Sequence, residues 1–126
     1  MVKMIVFNYR KAGVSPEAFA DMWLNGHGAM VKKYAHVLRI KKYVQSHFLP
    51  NADDPILSEH GGAPGCDSIT EVWYDSIEDM NAGITSLEGQ KANAELAADA
   101  ARFCDMERME AKICREETIF DFTAGG

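Results

Sequence analysis

Apolar side chains recur at three- and four-residue steps through Phe19, Met22, Trp23, Val31, Tyr34 and Leu38, which is the spacing of one buried helical face. Ser15-Pro16-Glu17 supplies a start for that helix, with serine as N-cap, proline at the first helical position and an acid in the first turn. The pattern predicts a helix from residue 16 to about Leu38. Residues 2 to 10 come before it, with apolar groups in both alternating sets: Ile5, Phe7 and Tyr9 in one, Val2, Met4 and Val6 in the other. That is a strand covered on both faces. A second strand is expected over residues 39 to 49, with Tyr43 in the set opposite Ile40, Val44 and Phe48. A third is expected over 67 to 75, where Asp67, Ile69, Glu71 and Trp73 alternate with Ser68, Thr70, Val72 and Tyr74.

Ser76 with Asp79 opens a second helix in the manner of a capping box. Its expected inner stripe is Ile77, Met80, Ile84 and Leu87; Gly83 and Gly89 interrupt it, and Ala92, Leu96, Ala100 and Phe103 continue the period to about Cys104. The last strand falls within residues 106 to 120, where Met109, Ala111 and Ile113 alternate with Glu110, Lys112 and Cys114. The order strand, helix, strand, strand, helix, strand is the ferredoxin-like α+β pattern with an antiparallel four-stranded sheet. A single domain over 1–126 is expected, with a polar loop at 50–65, which includes His60, and a loose tail at 121–126. Two helices cover only one face of such a sheet. The apolar residues of the other face then need a partner, and a second copy closing a dimeric α+β barrel is the expected one.

Composition narrows the partners. A net charge of −6, with no basic cluster beyond Lys32-Lys33 and Lys41-Lys42, argues against a nucleic acid or an anionic membrane. Three cysteines without a CxxC pair fit a reducing cytoplasm, and no apolar stretch approaches the roughly 20 residues of a membrane span. The chain is therefore expected to be cytoplasmic.

The candidate chemistry centres on His27, four positions after Trp23 and on the same apolar face. Gly26 and Gly28 flank it, each weakening a helix by about 1 kcal/mol relative to alanine and removing side chains that would crowd the ring. Two meanings are open: an acid/base group in a pocket wall, or a core histidine beside a helix bend. Glu71 has two as well. Between Ile69 and Trp73 it is either a desolvated acid or the partner of a lysine such as Lys41 or Lys42. The four histidines are nine or more residues apart, with no HExxH, GxGxxG or P-loop pattern, so neither a metal nor a nucleotide is expected.

Two local motifs, the helix segment WLNGHGAMV with Trp23 four residues before His27 and the strand segment with Asp67 and Glu71-Val72-Trp73, make the chain resemble the EthD-like family of dimeric α+β barrels. The resemblance runs over residues 3 to 120. That family includes a protein associated with bacterial ethyl tert-butyl ether degradation, and fungal hydroxyanthrone dehydratases and related polyketide-modifying enzymes. It implies a small organic ligand between sheet and helices, with the position of His27 nearest the chemistry. Methylmuconolactone methylisomerases are similar at His27, Tyr43, Glu71 and Trp73, but carry a cysteine where this chain has Val72; the nearest here is Cys66. Haem-degrading monooxygenases are similar at Asn8 and the strand-three tryptophan. No histidine follows Trp73 to ligate iron, so haem is not expected.

Two functions follow. One is a cofactor-independent lyase or isomerase acting on a cyclic, largely apolar oxygenated molecule. In it His27 moves a proton, Glu71 or Asp67 orients it or serves as the complementary acid, and Tyr43 or Tyr9 binds a substrate oxygen against Trp23, Trp73 and Phe7. The other is a non-catalytic carrier or accessory protein that needs the apolar walls alone. A dimer without any ligand is the plainest alternative.

Overall fold

The structure, a computed structural model, describes residues 1–49, 55–56 and 65–123. The 50–65 loop, apart from residues 55, 56 and 65, and the end of the tail at 124–126 lie outside the described residues, as does His60. Four strands form one sheet: β1 (Val2–Asn8), β2 (Lys42–His47), β3 (Ser68–Tyr74) and β4 (Glu110–Arg115). Their spatial order is β2-β3-β1-β4 and every neighbouring pair is antiparallel. The expected α+β ferredoxin-like architecture is the one observed.

The first helical region begins where the sequence places it, with Ser15 Oγ accepting from the Ala18 N–H 3.1 Å away. It is not a uniform helix. Helix α1 (Pro16–Asp21) passes into a π-helical turn over Met22–His27, and α2 (Gly28–Tyr34) follows. The widened turn coincides with Gly26 and ends at Gly28, whose N–H bonds five residues back to the Trp23 carbonyl. Phe19, Trp23, Val31 and Leu38 are buried, so the predicted face is the buried one.

The second region is α3 (Ile77–Thr85) and α4 (Leu87–Ala100), each capped by a serine side chain, Ser76 on the Asp79 N–H and Ser86 on the Gly89 N–H. Here the expected stripe needs correction, because Ile77 and Leu87 remain 47% and 70% exposed. The contact face is set instead by Gly83, where an added Cβ would come within 2.5 Å of the Leu38 carbonyl oxygen. Backbone rather than side chain makes that approach. A Cβ on Gly89 would in turn overlap the Gly83 carbonyl, so the kink between α3 and α4 requires both glycines. The later stripe holds, with Ala92 and Phe103 buried.

In β3 burial alternates strictly: Ser68, Thr70, Val72 and Tyr74 are buried on the helix side, and Ile69, Glu71 and Trp73 are half-buried on the open side. Register carries the same division across the sheet, pairing Met4 with Val72 under the helices and Ile5 with Glu71 on the open face. Two half-buried apolar residues of β1, Ile5 and Phe7, thus face away from every helix.

Candidate active site

Between the helix-side face and the helices lies a cavity of about 240 Å³. Its floor is the inward set of β1 and β3, Met4, Val6, Thr70 and Val72 among them, and its roof comes from the π turn, α2 and α4. The walls are mostly apolar, and the polar groups among them are few.

His27 is one. As the last residue of the π turn it reaches α4, where Nδ1 lies 2.9 Å from Asp99 Oδ2. Both side chains are largely buried, at 14% and 10% exposure, and Asp99 Oδ1 also accepts from Arg102 at 3.0 Å. The His27 ring stands edge-on to Phe103, 5.7 Å between centroids, which fixes its plane. A carboxylate on Nδ1 favours the tautomer with the proton there, so Nε2 keeps a lone pair for whatever occupies the cavity.

Trp23, at 2% exposure, packs against Phe19 and divides the cavity from a smaller hollow of about 210 Å³. Its carbonyl takes a second donor, Gln45 Nε2 at 2.8 Å, beside the Gly28 N–H of the π turn. The same amide nitrogen donates to the Tyr43 hydroxyl at 3.0 Å, and so ties β2 to the site. Burial pushes the Tyr43 phenol up, hydrogen bonding from Gln45 and Trp23 opposing it. Asn8 donates to Ser68 Oγ at 3.1 Å and Thr70 Oγ1 at 2.9 Å within the floor. Cys104 lines the cavity too, but burial pushes its thiol up to about 12, so it stays protonated and is no nucleophile near neutrality.

The structure thus brings together three of the residues singled out from sequence, His27, Trp23 and Tyr43. The others lie elsewhere. Glu71, Trp73 and Phe7 are on the open face of the sheet, with β1 and β3 between them and the cavity. Glu71 is paired with a lysine, and that lysine is Lys3, 2.7 Å away, rather than Lys41 or Lys42. Lys3 also reaches Glu116, which accepts from the Trp73 indole, while Lys3 and Lys42 lie over the Trp73 ring at 5.3 and 4.7 Å. Asp67 accepts from the Arg10 N–H at 2.6 Å and lines the smaller hollow. Tyr9 is stacked under Arg108 at 4.1 Å. The carboxylate beside His27 is therefore neither Glu71 nor Asp67.

Asp99 is the residue that sequence reasoning missed. It sits three positions after Leu96 and four before Phe103, on the inner stripe of α4, and an acid in an apolar stripe is the signal that finds it. Among the described residues no three His, Cys, Asp or Glu side chains gather as metal ligands, and no helix is long and apolar enough to cross a membrane.

The sequence matches the model of the EthD domain over residues 11–107. Among solved structures, an ethyl tert-butyl ether degradation (EthD) family protein from Bacillus halodurans is 20% identical at a TM-score of 0.63, over 93% of this chain and 99% of that one. A dimeric ferredoxin-like protein of unknown function from Thermobifida fusca is 15% identical at 0.57, over 90% and 88%. SnoaB, a cofactor-independent oxygenase from Streptomyces nogalater, is 8% identical at 0.54, over 95% and 97%. No curated protein sequence matches. At these identities the three structures share the fold.

Proposed function

This chain belongs to the EthD domain family, and from that footing we propose that it binds a small, largely apolar oxygenated molecule in the cavity and acts on it as a cofactor-independent lyase or isomerase. The observation that carries this is the His27–Asp99 pair on an otherwise apolar wall. His27 Nε2 takes a proton from the bound molecule, or returns one, while Asp99 holds the ring and balances the charge it gains. Tyr43 offers its hydroxyl to a substrate oxygen, and Trp23 excludes water. An engineered cavity of about 150 Å³ accepts benzene, so about 240 Å³ suits a molecule of two fused rings.

Glu71, Trp73 and Phe7 take another part in this proposal. With Ile5 and Ile69 they form the half-buried open face on which a second copy docks, making the molecule a homodimer. The Thermobifida fusca protein of the same fold is dimeric, which supports that assembly.

The test is a panel of small lactones, anthrones and phenols, scored first for thermal stabilisation and then for turnover, on wild type and His27→Ala. Panel members that stabilise both proteins, with turnover lowered by about 10²–10⁴-fold in the variant, are the expected result. Binding with no turnover by either protein would instead identify a carrier.

A further inference from the structure

By alternation Tyr43, Gln45 and His47 stand on one face of β2, and the register sets them beside Val72, Thr70 and Ser68, helix-side residues of β3. Tyr43 lines the cavity and His47 the smaller hollow, while Gln45, between them, lines neither. Its amide is engaged at both ends nonetheless. Nε2 donates to the Trp23 carbonyl at 2.8 Å and to the Tyr43 hydroxyl oxygen at 3.0 Å, and Oε1 lies 2.9 Å from His47 Nε2. A backbone carbonyl can only accept, so the end of the amide that faces Trp23 is its nitrogen, and the group cannot be turned over without losing that bond. An amide nitrogen cannot accept either, so in its bond to Gln45 the Tyr43 oxygen is the acceptor. The proton of that hydroxyl is thereby directed away from Gln45 and kept for donation.

We infer that Gln45 is a positioning residue that holds Tyr43 as a hydrogen-bond donor toward the bound molecule, so that the atom Tyr43 meets there is an acceptor oxygen of the ketone or lactone kind. This rests on the cavity being a ligand site, as proposed above, and gives that site a polarity. The anchor of the arrangement is the π turn. Its Trp23 carbonyl takes both the Gly28 N–H and the Gln45 amide, so the widened turn that ends in His27 on one wall also orients Tyr43 on another. A site that matches a polar atom of its ligand discriminates more sharply than apolar walls do. The ligand is thereby narrowed from apolar and oxygenated to one that presents a carbonyl to β2.

The experiment measures the affinities of 1-tetralone and of tetralin, the same two rings without the carbonyl, and the infrared carbonyl band of bound 1-tetralone, in wild type, Tyr43→Phe, Gln45→Glu and Gln45→Met. Wild type should bind the ketone about fivefold more tightly, the worth of one hydrogen bond, with its band at lower frequency than in hexane. Tyr43→Phe should abolish both signs. Gln45→Glu should do the same, because a carboxylate takes the Tyr43 proton for itself; Gln45→Met, which frees the hydroxyl to turn, should lose part of the preference. Tetralin affinity should hold in every variant. A ketone preference that survives Tyr43→Phe, or that stands at the wild-type level in either Gln45 variant, overturns the assignment. So does an equal loss of both probes in the Gln45 variants, the mark of a residue that only holds the wall together. Wild type binding both probes without preference overturns it too and leaves the cavity as a ligand site. If neither probe binds wild type, the ligand site itself falls, and this inference with it.

Discussion

On the covered face of the sheet the polar side chains are neutral and tied to near neighbours, Asn8 to Ser68 and Thr70, Tyr43 to Gln45; on the open face they are charged and tied to one another, Lys3 between Glu71 and Glu116 beside Trp73. The same strands supply both sets by simple alternation. What separates them is access to water, since an ion moved under the helices would lose hydration that a half-buried face still provides. The charge on the open face is satisfied within itself, so it offers a ligand little to grip. On the covered side the ionisable pair at the cavity comes from helices, His27 and Asp99, and the sheet contributes hydroxyls and amides. This contrast is the reason for proposing ligand chemistry on one side and association on the other.

The largest effect that sharpens this contrast is expected from the two tryptophans, one on each face. Trp23→Ala removes a 2% exposed side chain from the core cluster with Phe19 and Phe103, and should cost about 3–5 kcal/mol in a urea titration. Trp73→Ala, on the open face, should cost less than half as much at low protein concentration. Its larger effect should be on self-association, read by sedimentation as a shift toward monomer. Equal losses of stability with unchanged association would erase the distinction between the faces.

A smaller difference is expected between the two carboxylates. Asp99→Asn weakens largely buried bonds to His27 and Arg102, and hydrogen bonds to charged groups are worth about 1.5–3 kcal/mol. It also offers His27 an amide in place of the carboxylate that sets its tautomer, so turnover should fall with it. Glu71→Gln weakens a part-buried pair, 15% and 23% exposed, that lies away from the cavity, and should cost about 0.5–1.5 kcal/mol with turnover intact. Turnover lost in Glu71→Gln and kept in Asp99→Asn would restore the pairing of His27 with Glu71 that sequence alone allowed.

That earlier pairing shows where legibility ends. Element order, the Ser15 and Ser76 caps, the buried face around Trp23 and the alternation of β3 are local patterns, and each could be read from spacing. The alternation placed Glu71 and Trp73 together correctly, but it does not say which of the two sets faces the helices. Both sets hold large apolar groups, and a one-residue parity decides the matter. Asp99 lies 72 residues from His27, and their contact depends on how α4 crosses the π turn. That crossing is set by backbone approaches at Gly83 and Gly89, which leave no hydrophobic signature and misled the stripe through Ile77 and Leu87. The glycines beside His27 did mark something real, a widened turn rather than a simple bend.

The smallest effect near neutrality, and the most selective between the faces, is expected from alkali. Cys104, Tyr43 and Tyr74 all lie on the covered side and are protonated at pH 7 in both folded and unfolded chains, so none of them makes stability depend on pH there. Burial raises each pKa on folding, the thiol from 9.0 to about 12 and the phenols from 10.0. Between its unfolded and folded values such a group holds its proton only while the chain is folded, so the unfolded state binds fewer protons and stability falls as pH rises. Cys104 should start that fall near pH 9, a unit before either tyrosine. Lys3, on the open face, is raised above 10.5 chiefly by its bond to Glu71, and its stabilisation is present below that pH and lost above it. Burial raises the Cys66 thiol from 9.0 as well, so the urea midpoint should begin to drop near pH 9 in wild type, in Lys3→Met and in Cys104→Ser alone, and only near pH 10 when Cys66→Ser is added to Cys104→Ser. An onset that moves with Lys3 and not with the pair of thiols would place the alkaline sensitivity in the open-face ion pairs and not in the buried thiols.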